Sequence, residues 1–136
     1  EPIKKKNLKD VYKILNDNLS NFNPKKKQYD KLWLDYKKNK RLFSVIGILN
    51  NEIIGQGSIV IISTIRGGKI GYIEDIVIKK NFRFLGYGSK IVSELKKISK
   101  KRRCYKIIIQ TKDNSIPFYK KNQFTIRSRS MVAFLK

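Results

Sequence analysis

Residues 71–95, GYIEDIVIKKNFRFLGYGSKIVSEL, hold a strand, a loop and a helix in succession. The apolar run ends at Ile78, and a helical spacing of apolar residues begins near Gly88. Between them lies Arg83-x-x-Gly86-x-Gly88. Two readings fit this loop: backbone amides gathered around a phosphate group, or a turn that needs small residues for steric reasons. The three-glycine dinucleotide fingerprint is incomplete, and the Gly-Lys-Ser/Thr of a triphosphatase loop is absent. Spacing alone leaves both readings open.

Downstream, the helix sets Ile91, Leu95 and Ile98 on one side, while Lys96, Lys97, Lys100 and Lys101 form a solvated end. YKIIIQ (105–110) is the most apolar strand and is expected at the centre of the sheet. SIPFYKKN (115–122) reads as a short helix, with Ser115 as its cap and Pro117 in its first turn. QFTIRSRSMVAFL (123–135) reads as a closing strand. Upstream, Leu8, Val11, Leu15 and Leu19 predict an amphipathic helix over 8–19, followed by a loop over 21–28. Tyr29, Leu32, Trp33 and Tyr36 predict a second helix whose aromatic face is expected to pack in the core rather than hold a cofactor.

RLFSVIGIL (41–49) and EIIGQGSIVIIS (52–63) form a hairpin through Asn50-Asn51. Gly55 and Gly57 suggest a bulge or a close backbone approach. Arg66-Gly67-Gly68 turns the chain into KIGYIEDIVI (69–78). The order is α-α-β-β-β-α-β-α-β without repeats, which predicts an α/β (α+β) fold with a mixed central sheet flanked by helices.

The 136 residues fit one domain, 1–136, and 40% apolar content is enough for a core. No run of 18 apolar residues exists to span a membrane. A single cysteine, Cys104, excludes an internal disulfide and favours a reducing, cytoplasmic setting. An opening on Glu1 rather than methionine is expected of a trimmed fragment, from which a targeting segment would be missing. The net charge of +22 suits a polyanion binder, but it also reflects codon bias. Lys, Asn and Ile share AT-rich codons and dominate the chain, whereas alanine occurs once, at Ala133. Lysine also outnumbers arginine 25 to 7, although arginine is the better residue for planar phosphate and base recognition. Bias is the favoured explanation, and no dedicated nucleic-acid or membrane partner is expected.

The absence of histidine removes His-dependent triads and His metal sites, and with one cysteine a structural zinc is not expected, so no metal is assigned. Glu74 and Asp75 are neighbours on a strand. Regular alternation would point them to opposite faces, which excludes the facing carboxylates of a glycosidase.

GYIEDIVI, Arg83-x-x-Gly86-x-Gly88, CYKIII and FYKKNQF, in this order, resemble the blocks of the GNAT acetyltransferase superfamily, over nearly the whole chain. Within it, Gly71–Val77, Cys104-Tyr105-Lys106-Ile107 and Phe118-Tyr119-Lys120-Lys121 are most similar to the glucosamine-6-phosphate N-acetyltransferase family. The resemblance implies a GNAT fold and an acyltransferase that uses acetyl-CoA as co-substrate. Its acceptor would be glucosamine 6-phosphate, in the amino-sugar route to UDP-GlcNAc, and the enzyme would be a homodimer.

Residue by residue, the resemblance implies that the backbone of Ile76, Val77 and Ile78 pairs with the pantetheine arm. Arg83 would open the pyrophosphate loop, and amides from Phe84, Leu85, Gly86, Tyr87, Gly88 and Ser89 would line it, with Lys90 adding charge nearby. Glu74 and Asp75 would face the amino sugar, Tyr105 and Lys106 its phosphate. An amide near Ile76 or Val77 would hold the oxyanion, and Tyr119, also on the cofactor side, would protonate the leaving thiolate. Cys104 is then a small hydrophobe rather than a nucleophile.

Three departures bear on the acceptor. The segment STIRGGK (63–69) is short where the family carries a longer basic loop. Phe134 stands where a C-terminal basic residue is expected, so Arg127 or Arg129 would substitute. Gln110 replaces the family's polar group after CYKI, with Asn114, a further cofactor-side candidate, one position off register. Two alternatives remain: a GNAT enzyme for another amine, such as a protein N-terminus, a lysine or a small molecule, and a basic nucleic-acid or membrane module.

Overall fold

The computed structural model describes residues 1–19 and 22–135. Asn21, the first residue of the expected loop, lies outside the described residues. Helix α1 spans Leu8–Asn18 and ends where Leu19 turns extended. Its apolar stripe is Leu8, Val11 and Ile14, and Ile14 is only 1% exposed. Ile14 is absent from the 8-11-15-19 spacing, yet it lies three residues from Val11 and so shares its face.

Helix α2 spans Tyr29–Lys38 and buries no residue fully. The expected core packing of its aromatic face is therefore corrected. Tyr29, Leu32, Trp33 and Tyr36 are half-buried, and the last three line a cleft against the sheet. Trp33 and Tyr36 stack on each other with centroids 5.4 Å apart.

Strands β1 (Leu42–Leu49), β2 (Glu52–Ser63) and β3 (Lys69–Ile78) form an antiparallel meander. Asn50 and Asn51 adopt φ of 49° and 64°, as a tight two-residue hairpin needs. Helix α3 (Tyr87–Lys101) crosses back, and strand β4 (Lys106–Ile109) pairs parallel to β3, from Ile70↔Lys106 to Ile73↔Ile109. Helix α4 (Ile116–Lys121) follows. The mixed sheet flanked by helices thus stands, in the order β1-β2-β3-β4.

Both faces of the sheet are covered. On one, Ile91 and Leu95 of α3 pack with Val45, Ile59, Ile61 and Ile73. On the other, Val11 and Ile14 of α1 pack with Ile46, Ile53 and Val77. Gly57 permits the α3 contact, because a Cβ there would lie 2.6 Å from Ile91 Cγ2 and 3.2 Å from Leu95 Cδ1. Side-chain-free backbone at that point lets α3 sit directly on β2.

Three local expectations differ from the structure. Strand β4 is an edge, not the centre, and its three isoleucines are half-buried. The closing strand does not form: residues 123–135 carry no strand, and Met131, Phe134 and Leu135 are exposed. A strand needs a neighbour to take its backbone hydrogen bonds, and this segment does not pair with the open edge of β4. Ser115 does not cap α4. Its backbone is already helical (φ −97°, ψ −6°) after a short turn over Asp113–Ser115, whereas a capping residue is normally extended. Pro117 does fall in the first turn. Among the described residues, no helix is long and apolar enough to cross a membrane.

Candidate functional site

The site begins at an irregularity in β3. Gln56 pairs with Val77, and Ser58 pairs with Glu74, so two residues, Asp75 and Ile76, stand opposite Gly57 alone. This is a β-bulge, and Asp75 takes a positive φ of 53° within it. The parity of the strand changes across it. Ile73 and Ile76 both pack into the α3-side core although they are three residues apart, which a regular strand forbids.

The expectation that Glu74 and Asp75 point to opposite faces is therefore overturned. Glu74 shares the face of its partner Ser58, and Asp75 lines the cleft on that same side. Burial raises both carboxyls above their ordinary range, and the charge of Asp75 raises Glu74 further.

Beyond Ile73↔Ile109, β4 leaves the sheet. Residues 74–78 of β3 keep their β2 side paired, while no described strand occupies their other edge. Along Ile76, Val77 and Ile78 the outer edge of β3 thus stays unpaired by any described strand.

The Arg83 loop follows the end of β3. Arg83 Nε donates to the Ile78 carbonyl at 3.0 Å, and its guanidinium also contacts Asn18 Oδ1. The arginine therefore clips the loop to β3 and to the end of α1. Phe84 is fully exposed with φ 63°, Leu85 is exposed, and Gly86, the N-cap of α3, has φ 84° with nothing within 4 Å of the place a Cβ would take. The first intrahelical bond is Lys90 N to Gly86 O at 3.3 Å. The amides of Tyr87, Gly88 and Ser89 therefore point out of the helix start without intrahelical acceptors. Lys79, Lys80, Arg83 and Lys90 make the surroundings basic, and the helix dipole adds to that.

The two glycines of the motif have different jobs. Gly86 supplies the backbone angle and the open space. Gly88 makes room for a ring, since its Cβ would lie 3.1 Å from Phe118 Cζ. That contact seats α4 against the start of α3. Asn122 fixes the seating: its Nδ2 donates to Ser89 Oγ at 3.1 Å, and its carbonyl accepts from the Lys96 ammonium. Asn122 was not legible as a site residue, because its partners are 26 and 33 residues away.

Tyr119 lies on α4 with its ring edge-on to Phe118 (4.9 Å) and Phe124 (5.6 Å). Burial raises the pKa of its phenol, which keeps the proton on at neutral pH. Among the described residues its hydroxyl makes no hydrogen bond, so the ring packs while the hydroxyl stays available. Asn114 is exposed in the turn before α4, its Oδ1 3.5 Å from Ser115 Oγ.

Other expected residues lie apart from this centre. Tyr105 and Lys106 open β4 beside Lys69 and Ile70, at the opposite end of β3 from Ile78. Four residues of strand, roughly 13 Å, separate that register from Glu74. The Lys106 ammonium lies 5.3 Å from the Tyr105 ring and is exposed. Arg127 and Arg129 are exposed in the unpaired C-terminal segment. Within one chain, none of these four joins Asp75. Cys104 packs against the α3-side core, and burial raises its thiol pKa, which fits a hydrophobe rather than a nucleophile. Among the described residues, no group of three metal-ligating side chains occurs.

The cleft between α1, α2 and the sheet has a volume of about 340 Å³ and runs to Asp75. Its floor carries a polar chain that the sequence did not single out. Gln56 Nε2 donates to Ser58 Oγ at 2.6 Å, the Ser58 and Ser44 hydroxyls share a bond of 2.6 Å, and Ser44 N–H donates to the Tyr36 hydroxyl at 3.0 Å. The signal available was a glutamine between two glycines in an otherwise apolar strand.

The profile of the Acetyltransferase (GNAT) family matches residues 8–124. The chain is 37% identical over 82 residues to the glucosamine 6-phosphate N-acetyltransferase of Trypanosoma brucei brucei, a stretch covering 59% of this chain and 56% of that protein. It is 34% identical over 119 residues to glucosamine 6-phosphate N-acetyltransferase 1 of Dictyostelium discoideum, covering 86% of this chain and 71% of the relative. Among solved structures, glucosamine-6-phosphate N-acetyltransferase from Arabidopsis thaliana superposes with a TM-score of 0.93 at 20% identity, over 100% of this chain and 97% of that one.

Proposed function

The chain belongs to the acetyltransferase (GNAT) family, whose members take the acetyl group from acetyl-CoA, and from that premise we propose that it acetylates the amine of glucosamine 6-phosphate. The observation that carries the reading is the unpaired edge of β3 at residues 74–78, with the Asp75 bulge at one end and the Gly86 loop at the other. An extended pantetheine arm fits that edge as an added strand. The open space above Gly86 and the unpaired amides of Tyr87, Gly88 and Ser89 suit a pyrophosphate.

The chemistry is a direct transfer in a ternary complex. The acceptor amine attacks the thioester carbonyl, the new C–N bond forms and the C–S bond breaks. A backbone amide at Ile76 or Val77 donates to the developing oxyanion. Tyr119 gives its proton to the leaving thiolate, and the proton that the acetylated nitrogen loses passes to water and restores the phenol. Asp75 and Glu74 face the acceptor, and Lys106 takes its phosphate. The acceptor assignment is supported by the two relatives' names.

We also assign a homodimer. The tail leaves Ile126, Met131, Val132, Phe134 and Leu135 exposed, and β4 leaves one edge of the sheet open. Apolar side chains in that number need a partner surface, and a second copy would bring Lys106, Arg127 or Arg129 toward a neighbouring Asp75. A cytoplasmic setting for a single domain is consistent with the free Cys104.

The test is thiol release from acetyl-CoA with glucosamine 6-phosphate, glucosamine and a panel of peptide and lysine amines. Release with glucosamine 6-phosphate well above all others is expected. Preference for a peptide amine would overturn the acceptor assignment.

A further inference from the structure

Gln56 is 3% exposed, stands on the floor of the α1–α2 cleft and is hydrogen-bonded on one side only. Its Nε2 is taken by Ser58, whereas Oε1 is buried without a partner. A buried carbonyl oxygen in a folded protein is normally satisfied, and here the adjacent Ser58 and Ser44 hydroxyls are bonded to each other. The strand around it is otherwise mostly apolar, and its partner across the sheet is Val77, so the Oε1 end finds no donor in the packing. The amide is held in position through its nitrogen, with the acceptor oxygen left over. The cleft above it combines the aromatic rings of Tyr12, Trp33 and Tyr36 with the carboxylate of Asp75. That lining suits a small, polyhydroxylated or cationic molecule that brings its own donors.

We infer that Gln56 is a specificity-determining residue for the acceptor: its Oε1 receives a hydrogen bond from a hydroxyl or amine of the bound amino compound, and the Ser58–Ser44–Tyr36 chain holds the amide in the receiving orientation. The assignment rests on the acetyl-transfer reading above. It adds a contact on β2, on the floor of the cleft, from the residue that pairs with Val77 of β3.

The experiment compares wild type with Gln56→Leu, which keeps the volume and removes both polar ends, in steady-state thiol release. The acceptor KM is expected to rise about tenfold, the size of one lost hydrogen bond to a bound ligand. The acetyl-CoA KM should stay unchanged, and the Tm in the absence of ligands should be equal to or above wild type. A glutamine kept for structure gives the reverse: a lowered Tm and an unaltered acceptor KM, and that result overturns the assignment. If wild type does not use glucosamine 6-phosphate, the functional reading fails separately, and the same comparison is made with whichever amine of the panel releases thiol. If none does, the unliganded Tm decides alone, because a loss of stability in Gln56→Leu shows that the amide serves the fold.

Discussion

Replacing Gly86 by valine tests the cofactor loop, and the structure allows its two effects to be separated. Gly86 has φ 84°, and nothing lies within 4 Å of the position its Cβ would take. The folded chain therefore suffers no clash, only the left-handed backbone cost of about 1–2 kcal/mol for a residue with a Cβ. In a chain of this size that lowers Tm by roughly 3–10 °C. Binding is a different matter. The added isopropyl group fills the space over the amides of Tyr87, Gly88 and Ser89, and losing charge-assisted bonds to a phosphate costs about 1.5–3 kcal/mol, or roughly 10- to 150-fold in the acetyl-CoA KM. Gly67 provides the control. It has φ 89°, again with nothing within 4 Å, but it lies in the turn between β2 and β3. Gly67→Val carries the same backbone cost without touching the loop. The assay is thiol release with acetyl-CoA varied at saturating acceptor, beside a thermal melt of each variant. Both variants should lose similar stability, and only Gly86→Val should lose acetyl-CoA affinity. Equal acetyl-CoA KM values in the two would refute the loop assignment.

Tyr119→Phe keeps the ring contacts with Phe118 and Phe124, so Tm should not change, whereas kcat should fall about 100-fold with the acetyl-CoA KM steady; full kcat would reduce Tyr119 to a packing residue. Asp75→Asn should stabilise the protein at neutral pH. The folded-state pKa of Asp75 is raised, so the charged form disfavours folding; this deficit is absent below the ordinary value of 3.8 and sets in as pH rises through the raised value. Denaturation at pH 7 and below pH 4 should show the variant's advantage only at the higher pH, since asparagine tolerates the left-handed backbone equally well. Lys106→Ala should weaken glucosamine 6-phosphate by about 10- to 150-fold and leave unphosphorylated glucosamine little changed. An equal loss for both sugars would move the phosphate site to Arg127 or Arg129.

Local order was legible in the chain alone. Apolar spacing located four helices and four strands, Asn50-Asn51 announced the hairpin, and Gly57 announced the bulge or close approach that the α3 contact and the shifted register both realise. These features depend on residues near one another in sequence, where backbone sterics and burial periodicity act directly. The family resemblance rested on four short blocks whose order survives whatever fills the space between them.

Tertiary structure decided what depends on register and on distant partners. An alternating strand separates Glu74 from Asp75; one extra residue opposite Gly57 puts both on the cleft side, and no property of the two carboxylates announces that insertion. The aromatic stripe of α2 has the spacing of a core helix, yet the sheet face opposite it carries Ser44, Gln56 and Ser58, so the stripe borders a cleft. The last apolar stretch has the composition of a strand but does not pair with the edge that β4 leaves open. Pairing is a property of two backbones, and a segment's own residues can specify its willingness to pair but not the presence of the partner.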